Sequence, residues 1–178
     1  LLGGATTAPG HDGQALSLDG RDDWCRVEHS PELNGDITNA LTTAAWIKAT
    51  ISHHPRHWRG IIGKITSGEP RPGYLMRVTK TGRFRAGIWV SHAGGVGTAL
   101  ISQTIVEDDR WHHVASTYDG QTFRLFVDGV EEGSIAYSDG IAPNTAPVQI
   151  GWDPFTDGGR LNNRFSGLID DARIYNRG

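Results

Sequence analysis

Between residues 111 and 133 apolar and polar side chains alternate strictly. Val114, Ser116 and Tyr118 fall on one parity and His113, Ala115 and Thr117 on the other. After Asp119-Gly120, Phe123, Leu125 and Val127 alternate with Thr122, Arg124, Phe126 and Asp128. A period of two belongs to a strand with one face buried. Asp-Gly between two such runs predicts a tight hairpin, because both residues tolerate the positive φ of a twisted turn. A second Asp-Gly at Asp128-Gly129 closes the next run, so the stretch predicts an antiparallel meander.

The same reading gives strands over 15–27, with an acidic turn at 19–23 in its middle, and over 40–50, 61–65, 74–79, 83–91, 98–106, 149–152 and 165–175. On 40–50, Leu41, Thr43, Ala45 and Ile47 share a face opposite Trp46 and Lys48. On 83–91, Phe84, Ala86, Ile88 and Val90 form the apolar face, which turns Arg85, Gly87 and Trp89 the other way. With 24 glycines and no sustained helical period, the expected class is all-β, a two-sheet antiparallel sandwich. The 178 residues suffice for one domain over 1–178, with 1–12 read as a Gly/Thr/Pro linker remnant. No apolar run approaches the roughly 20 residues of a membrane-spanning helix. Cys25 is the single cysteine, so no internal disulfide can form.

A net charge of −3 hides an uneven distribution. From Lys48 to Val106 there are nine basic residues against one acidic, Glu69; elsewhere eight basic face nineteen acidic. Either the basic segment meets an anionic partner, or the two segments neutralise each other across the sandwich.

WHHVASTYDG followed by RLFVDG resembles the most recognisable segment of laminin-G-like, concanavalin A-like jelly-roll modules. The stretch ALSLDGRDDWCRVEHSPEL at 15–33 is similar to that family's opening strand, and FSGLIDDARIYNRG at 165–178 to its closing strand. The resemblance implies a jelly roll and a secreted or cell-surface location. It also implies a structural Ca²⁺ held by Asp19, the carbonyl of Gly20 and Asp170, with Asp23 as a further candidate, since first and last strands are neighbours in that fold. The alternative is an Asx turn at Asp19 and pairing of Asp170 with Arg173.

Other chemistry is poorly represented. Zinc needs three or four converging ligands, and His112 and His113, adjacent on a strand, point to opposite faces. His53, His54 and His57 read as a polar surface loop. Paired catalytic carboxylates of glycosidase type, a nucleophile elbow and a phosphate loop have no match. Glu131-Glu132 and Glu107-Asp108-Asp109 read as solvated charge. Nucleic acid is disfavoured by the overall negative charge.

Binding remains. A sugar presents apolar C–H faces and polar edges, which an aromatic platform ringed by hydrogen-bonding groups can match. Trp89, Arg85 and Arg77 have that composition on one predicted face, and a hairpin centred on Thr81 sets Arg77 opposite Arg85. Like charges directly opposed destabilise a strand pair unless an anion lies between them, either an acidic ligand or an internal partner such as Glu69. Trp58, with Arg56 and His57, and Trp152, beside Asp153, are the other candidate platforms; Trp24, Trp46 and Trp111 are assigned to structure. The expected function is a non-catalytic carbohydrate-binding module attached to a polysaccharide-degrading enzyme or surface protein, its partners a polysaccharide, with an acidic glycan preferred over a neutral one, and neighbouring domains. The alternatives are a protein-interaction or spacer domain and, behind it, a glycan hydrolase or lyase.

Overall fold

The computed structural model describes residues 1–33, 38–51, 58–66, 72–91, 95–154 and 163–178. Among the described residues, thirteen strands form two antiparallel sheets. The seven-stranded sheet has the order β1 (Thr6–Pro9), β2 (Gln14–Asp19), β13 (Ser166–Tyr175), β4 (Leu41–Ala49), β9 (Trp111–Tyr118), β10 (Thr122–Val127) and β11 (Val130–Ala136). The six-stranded sheet has the order β3 (Cys25–Val27), β12 (Val148–Ile150), β5 (Arg59–Ile65), β6 (Gly73–Val78), β7 (Arg83–Ser91) and β8 (Val96–Ile105). The inward parity of each strand builds one core between the sheets, where Ile47, Val114 and Leu125 are buried with Ile61, Met76, Phe84 and Ile88.

The meander forms as the alternation predicts, β9 pairing with β10 and β10 with β11. Its two Asp-Gly turns differ. Asp128 and Gly129 both take positive φ, 51° and 80°, as a two-residue twisted turn requires. At the first turn only Gly120 does so, and the Asp119 carboxylate instead accepts from the backbone N–H groups of Gln121 and Thr122. His112 and His113 face opposite ways: His112 is buried between Asp128 (2.7 Å) and Asp108 (3.1 Å), whereas His113 turns outward beside Trp46.

Three expectations are corrected. Residues 15–27 are not one strand: β2 and β3 lie in different sheets, and the acidic turn 19–23 is the crossover between them. Residues 1–12 are not simply linker, because Thr6–Pro9 pairs with β2 as the edge of the seven-stranded sheet and Leu2 bridges Trp24. Glu132 is not solvated charge. Its carboxylate accepts from the N–H of Gln103 (2.6 Å) and Thr104 (2.9 Å) and from the Thr104 hydroxyl, tying edge strand β11 to edge strand β8 of the opposite sheet.

Burial alone would raise the Glu132 pKa, but the donors from Thr104 and Gln103 outweigh it and hold the group below its ordinary value. A depressed carboxyl pKa contributes stability above the unfolded value, about 4.3, and loses it as pH falls through the folded value. The stability difference between wild type and Glu132→Gln is therefore expected to stay constant above pH ~4.3 and to shrink below it. Urea unfolding at several pH values measures this; a difference that grows on acidification contradicts it.

Candidate functional site

The outer face of the six-stranded sheet is built from residues that turn away from the core. Gly60, Gly63 and Ile65 of β5, Gly73, Leu75 and Arg77 of β6, and Arg85, Gly87 and Trp89 of β7 lie there in register. A bulge between Gly60 and Ile62 sends Ile61 and Ile62 both into the core while keeping Gly60 outward. A Cβ at Gly60 would lie 2.2 Å from the Trp152 carbonyl carbon and 2.3 Å from the Asp153 nitrogen, so only glycine lets the 152–153 backbone rest on β5. That close approach carries the Asp153 carboxylate to Arg77, 2.8 Å from its Nη1.

Arg77 and Arg85 are directly opposed on β6 and β7, as the hairpin centred on Thr81 predicts. The anion between them is internal: Asp153 is 0% exposed and Arg77 9%. Trp58 completes the cluster, its ring 4.0 Å from the Arg77 guanidinium carbon and 5.7 Å from that of Arg85. Trp89 flanks Arg85 from the other side at 5.6 Å. Among the described residues, Arg85 makes no hydrogen bond or ion pair. Burial and then the neighbouring Arg77 charge lower its pKa to about 10, partly offset by Asp153. Arg77 thus pairs with the buried Asp153 carboxylate directly, whereas Arg85 feels that charge only at longer range.

Trp89 corrects the expectation of an open platform. It does face away from the main core, but it is only 6% exposed and packs on Ile65, Leu75 and Ala99. Its indole lies flat over β7 and β8, where a Cβ at Gly97 would meet it at 2.1 Å and one at Gly87 at 2.4 Å. Trp89 is therefore a buttress behind Arg85, and Trp58, half-buried, is the more accessible indole. Trp152 is also half-buried on this face, edge-on to Trp24 at 4.8 Å, with the Arg164 guanidinium 4.6 Å above its ring. Arg56 and His57 lie outside the described residues, as do His53, His54 and Glu69.

The proposed calcium ligands do not converge as a set. The closing strand does neighbour the opening one, but the register sets Ser166, not Asp170, opposite Asp19. Four residues of strand place Asp170 about 13 Å further along, where its carboxylate accepts from the N–H groups of Asp12 and Asp171. The Asx-turn alternative holds at Asp19, whose Oδ1 accepts from Arg21 N–H at 2.8 Å; Arg173 pairs with Asp171 rather than Asp170. Asp23 is buried and accepts from the N–H groups of Gly4 and Asp19, closing the crossover turn. Asp22, part of the same acidic turn in sequence but outside the expected ligand set, joins them: Asp19, Asp22 and Asp23 each bring an oxygen within 4.8 Å of the others. The charge of Arg164 is already set against Asp22 and Asp23.

Sequence reasoning also missed an aromatic group on the outer face of the seven-stranded sheet. His11 stacks on Trp46 at 3.7 Å and 9°, with Trp111 edge-on to His11 and His113 edge-on to Trp46. The alternation placed Trp46 outward correctly; nothing local in sequence brings His11 to it.

The strand order and the two packed antiparallel sheets define a concanavalin A-like sandwich. The chain belongs to the Laminin_G_3 family of the concanavalin A-like lectin/glucanases superfamily, whose family model matches residues 19–178. It is 24% identical to human (Homo sapiens) pappalysin-1 over 182 residues, covering 97% of this chain but 11% of that protein. In fold it is similar to the binding domain of Paraclostridial mosquitocidal protein 1, with a TM-score of 0.75 and 16% identity over 100% of this chain and 44% of that one. It is likewise similar to the CBM40 of a Ruminococcus gnavus IT-sialidase bound to α2,3-sialyllactose, with a TM-score of 0.65 and 15% identity over 99% and 91% of the two chains.

Removing Asp153 takes from Arg77 the buried carboxylate it pairs with, while Arg85 stays opposite it. Asp153→Ala is expected to destabilise the fold by roughly 3–5 kcal/mol, the range for breaking one side of a buried pair. Asp153→Ala combined with Arg77→Leu should recover much of that loss. Chemical denaturation measures both; an Asp153→Ala variant as stable as wild type contradicts the pairing.

Proposed function

We propose that the domain is a non-catalytic glycan-binding module that takes an acidic oligosaccharide or polysaccharide on the outer face of the six-stranded sheet. The observation that carries this reading is Arg85: a partly desolvated guanidinium between two indoles, beside a second arginine, with no hydrogen-bonded anion of its own among the described residues. A ligand carboxylate or sulfate accepts from it in bidentate fashion, the arrangement in which such pairs are strongest. Trp58 offers a ring face beside it for the apolar side of a sugar. The R. gnavus module of the same fold, whose structure holds α2,3-sialyllactose, supports a glycan as the ligand class.

A binding rather than hydrolytic role is supported by the carboxylates. Glycoside hydrolysis commonly uses two flanking an open cleft. On this face, among the described residues, Asp153 is buried and committed to Arg77. A glycan ligand fits a domain of a secreted or surface multidomain protein, with neighbouring domains and a polysaccharide-degrading enzyme among its possible settings. Arg85→Ala is expected to weaken binding to the tightest acidic ligand of a panel (α2,3-sialyllactose, polygalacturonate, alginate, a sulfated polysaccharide) by about tenfold or more, as loss of a charge-assisted pair does. Wild-type binding should weaken with salt and exceed binding to cellulose. Affinity gels and calorimetry decide it. Binding only to neutral glycans rejects the acidic preference, and no glycan binding at all favours a protein-interaction or spacer role.

Structural calcium is a separate part of the proposal, resting on Asp19, Asp22 and Asp23 without Asp170. Their hard carboxylate oxygens suit Ca²⁺, and backbone carbonyls and water would have to complete the 6–8 ligands it takes. Ca²⁺ is expected to raise the melting temperature, EDTA to reverse the rise, and Asp22→Asn to abolish the response. Melting curves indifferent to both additions remove calcium from the account.

A further inference from the structure

Beside the Arg85 cluster, the same face holds an open hollow of about 280 Å³. Ile65, Trp152, Pro154, Ala146 and Thr145 wall it, and Gln149 lies among them. Gln149 is 7% exposed, and among the described residues its Oε1, itself shut off from solvent beneath the hollow's wall, has no hydrogen-bond partner. A buried amide left unpaired costs stability and is seldom tolerated without a use. Its position is no accident of a loose loop. Gln149 is fixed in β12 opposite Gly63, and the wall at 144–147 is tied down by the fully buried Lys64, whose Nζ donates to the carbonyls of Asn144 (2.6 Å) and Ala146 (2.8 Å).

We infer that this hollow is a second subsite, in which Gln149 hydrogen-bonds a hydroxyl or amide of a neutral sugar packed against Trp152 and Ile65. The inference rests on the proposed glycan reading of this face and extends it to the length of the ligand. An amide supplies both an acceptor and donors, and its two ends exchange by a simple flip, so it can meet either partner of a sugar edge. Gln149 on β12 and Arg85 on β7 are three strand spacings apart, about 14 Å, wider than one pyranose ring. The ligand is therefore a chain of at least two sugars laid across the strands, its acidic residue at Arg85 and a neutral edge at Gln149.

Calorimetric titration with two probe pairs tests this: α2,3-sialyllactose against free sialic acid, and xylotriose carrying one glucuronic acid against glucuronic acid. For the pair that binds wild type, Gln149→Leu is expected to weaken the oligosaccharide about tenfold and leave the monosaccharide within twofold. The melting temperature should not fall, because an unpaired polar group has been removed. Gln149→Asn, which withdraws the amide by one methylene, should give a smaller loss of the same kind. An unchanged oligosaccharide affinity in Gln149→Leu, with Arg85→Ala abolishing binding, overturns the subsite and leaves the glycan reading standing. A lowered melting temperature with both probes weakened equally makes Gln149 a structural residue and also overturns it. Wild type that binds no probe overturns both.

Discussion

Two arginines held opposite one another on adjacent strands are an electrostatic liability, and the outer face of the six-stranded sheet is organised around that liability. One buried carboxylate, Asp153, offsets Arg77, and it reaches Arg77 only because Gly60 has no side chain to hold the 152–153 backbone away. The second guanidinium, Arg85, is stabilised less completely, by the rings of Trp58 and Trp89. In the proposed reading stability and recognition share one arrangement: the charge that the fold does not fully neutralise is the one offered to an acidic ligand.

The glycines of this sheet serve the same end. Trp89 can lie flat as a buttress because Gly87 and Gly97 sit beneath it. Of the seven described basic residues in 48–106, three, Arg59, Lys64 and Arg77, are buried. Arg59 pairs with Glu107 at 2.6 Å, Arg77 with Asp153, and Lys64 with carbonyls of the 144–146 segment. The expectation that basic and acidic segments neutralise each other thus holds for Arg59 and Arg77, and the proposed acidic-ligand site centres on Arg85.

What the sequence made legible was local. Period-two alternation and the Asp-Gly pairs at 119–120 and 128–129 were enough for the meander, and the turn at Thr81 was enough to set Arg77 opposite Arg85. Outward parity was also right for Trp46 and Trp89. Solvent exposure was not, because burial of Trp89 depends on what packs over it from strands and loops distant in sequence. Asp170 failed for a related reason: knowing that β13 neighbours β2 does not give the register, and four residues of slip separate it from Asp19. Asp153 as the partner of Arg77 lies 76 residues away and depends on a missing Cβ at Gly60, which no spacing in the chain records. Glu132 looked like a turn residue because β11 follows so tightly on the Asp128-Gly129 turn, while its donors sit on an edge strand of the other sheet.

The most direct test is a side-chain NMR titration that follows the Arg85 Nε–H and the six tryptophan indole N–H resonances as an acidic oligosaccharide is added. The account predicts saturable shifts at Arg85 and Trp58, with the indoles of Trp46 and Trp111 on the opposite sheet unmoved. Shifts confined to Trp46 and Trp111, with Arg85 silent, would place any glycan on the other face of the sandwich and contradict the account.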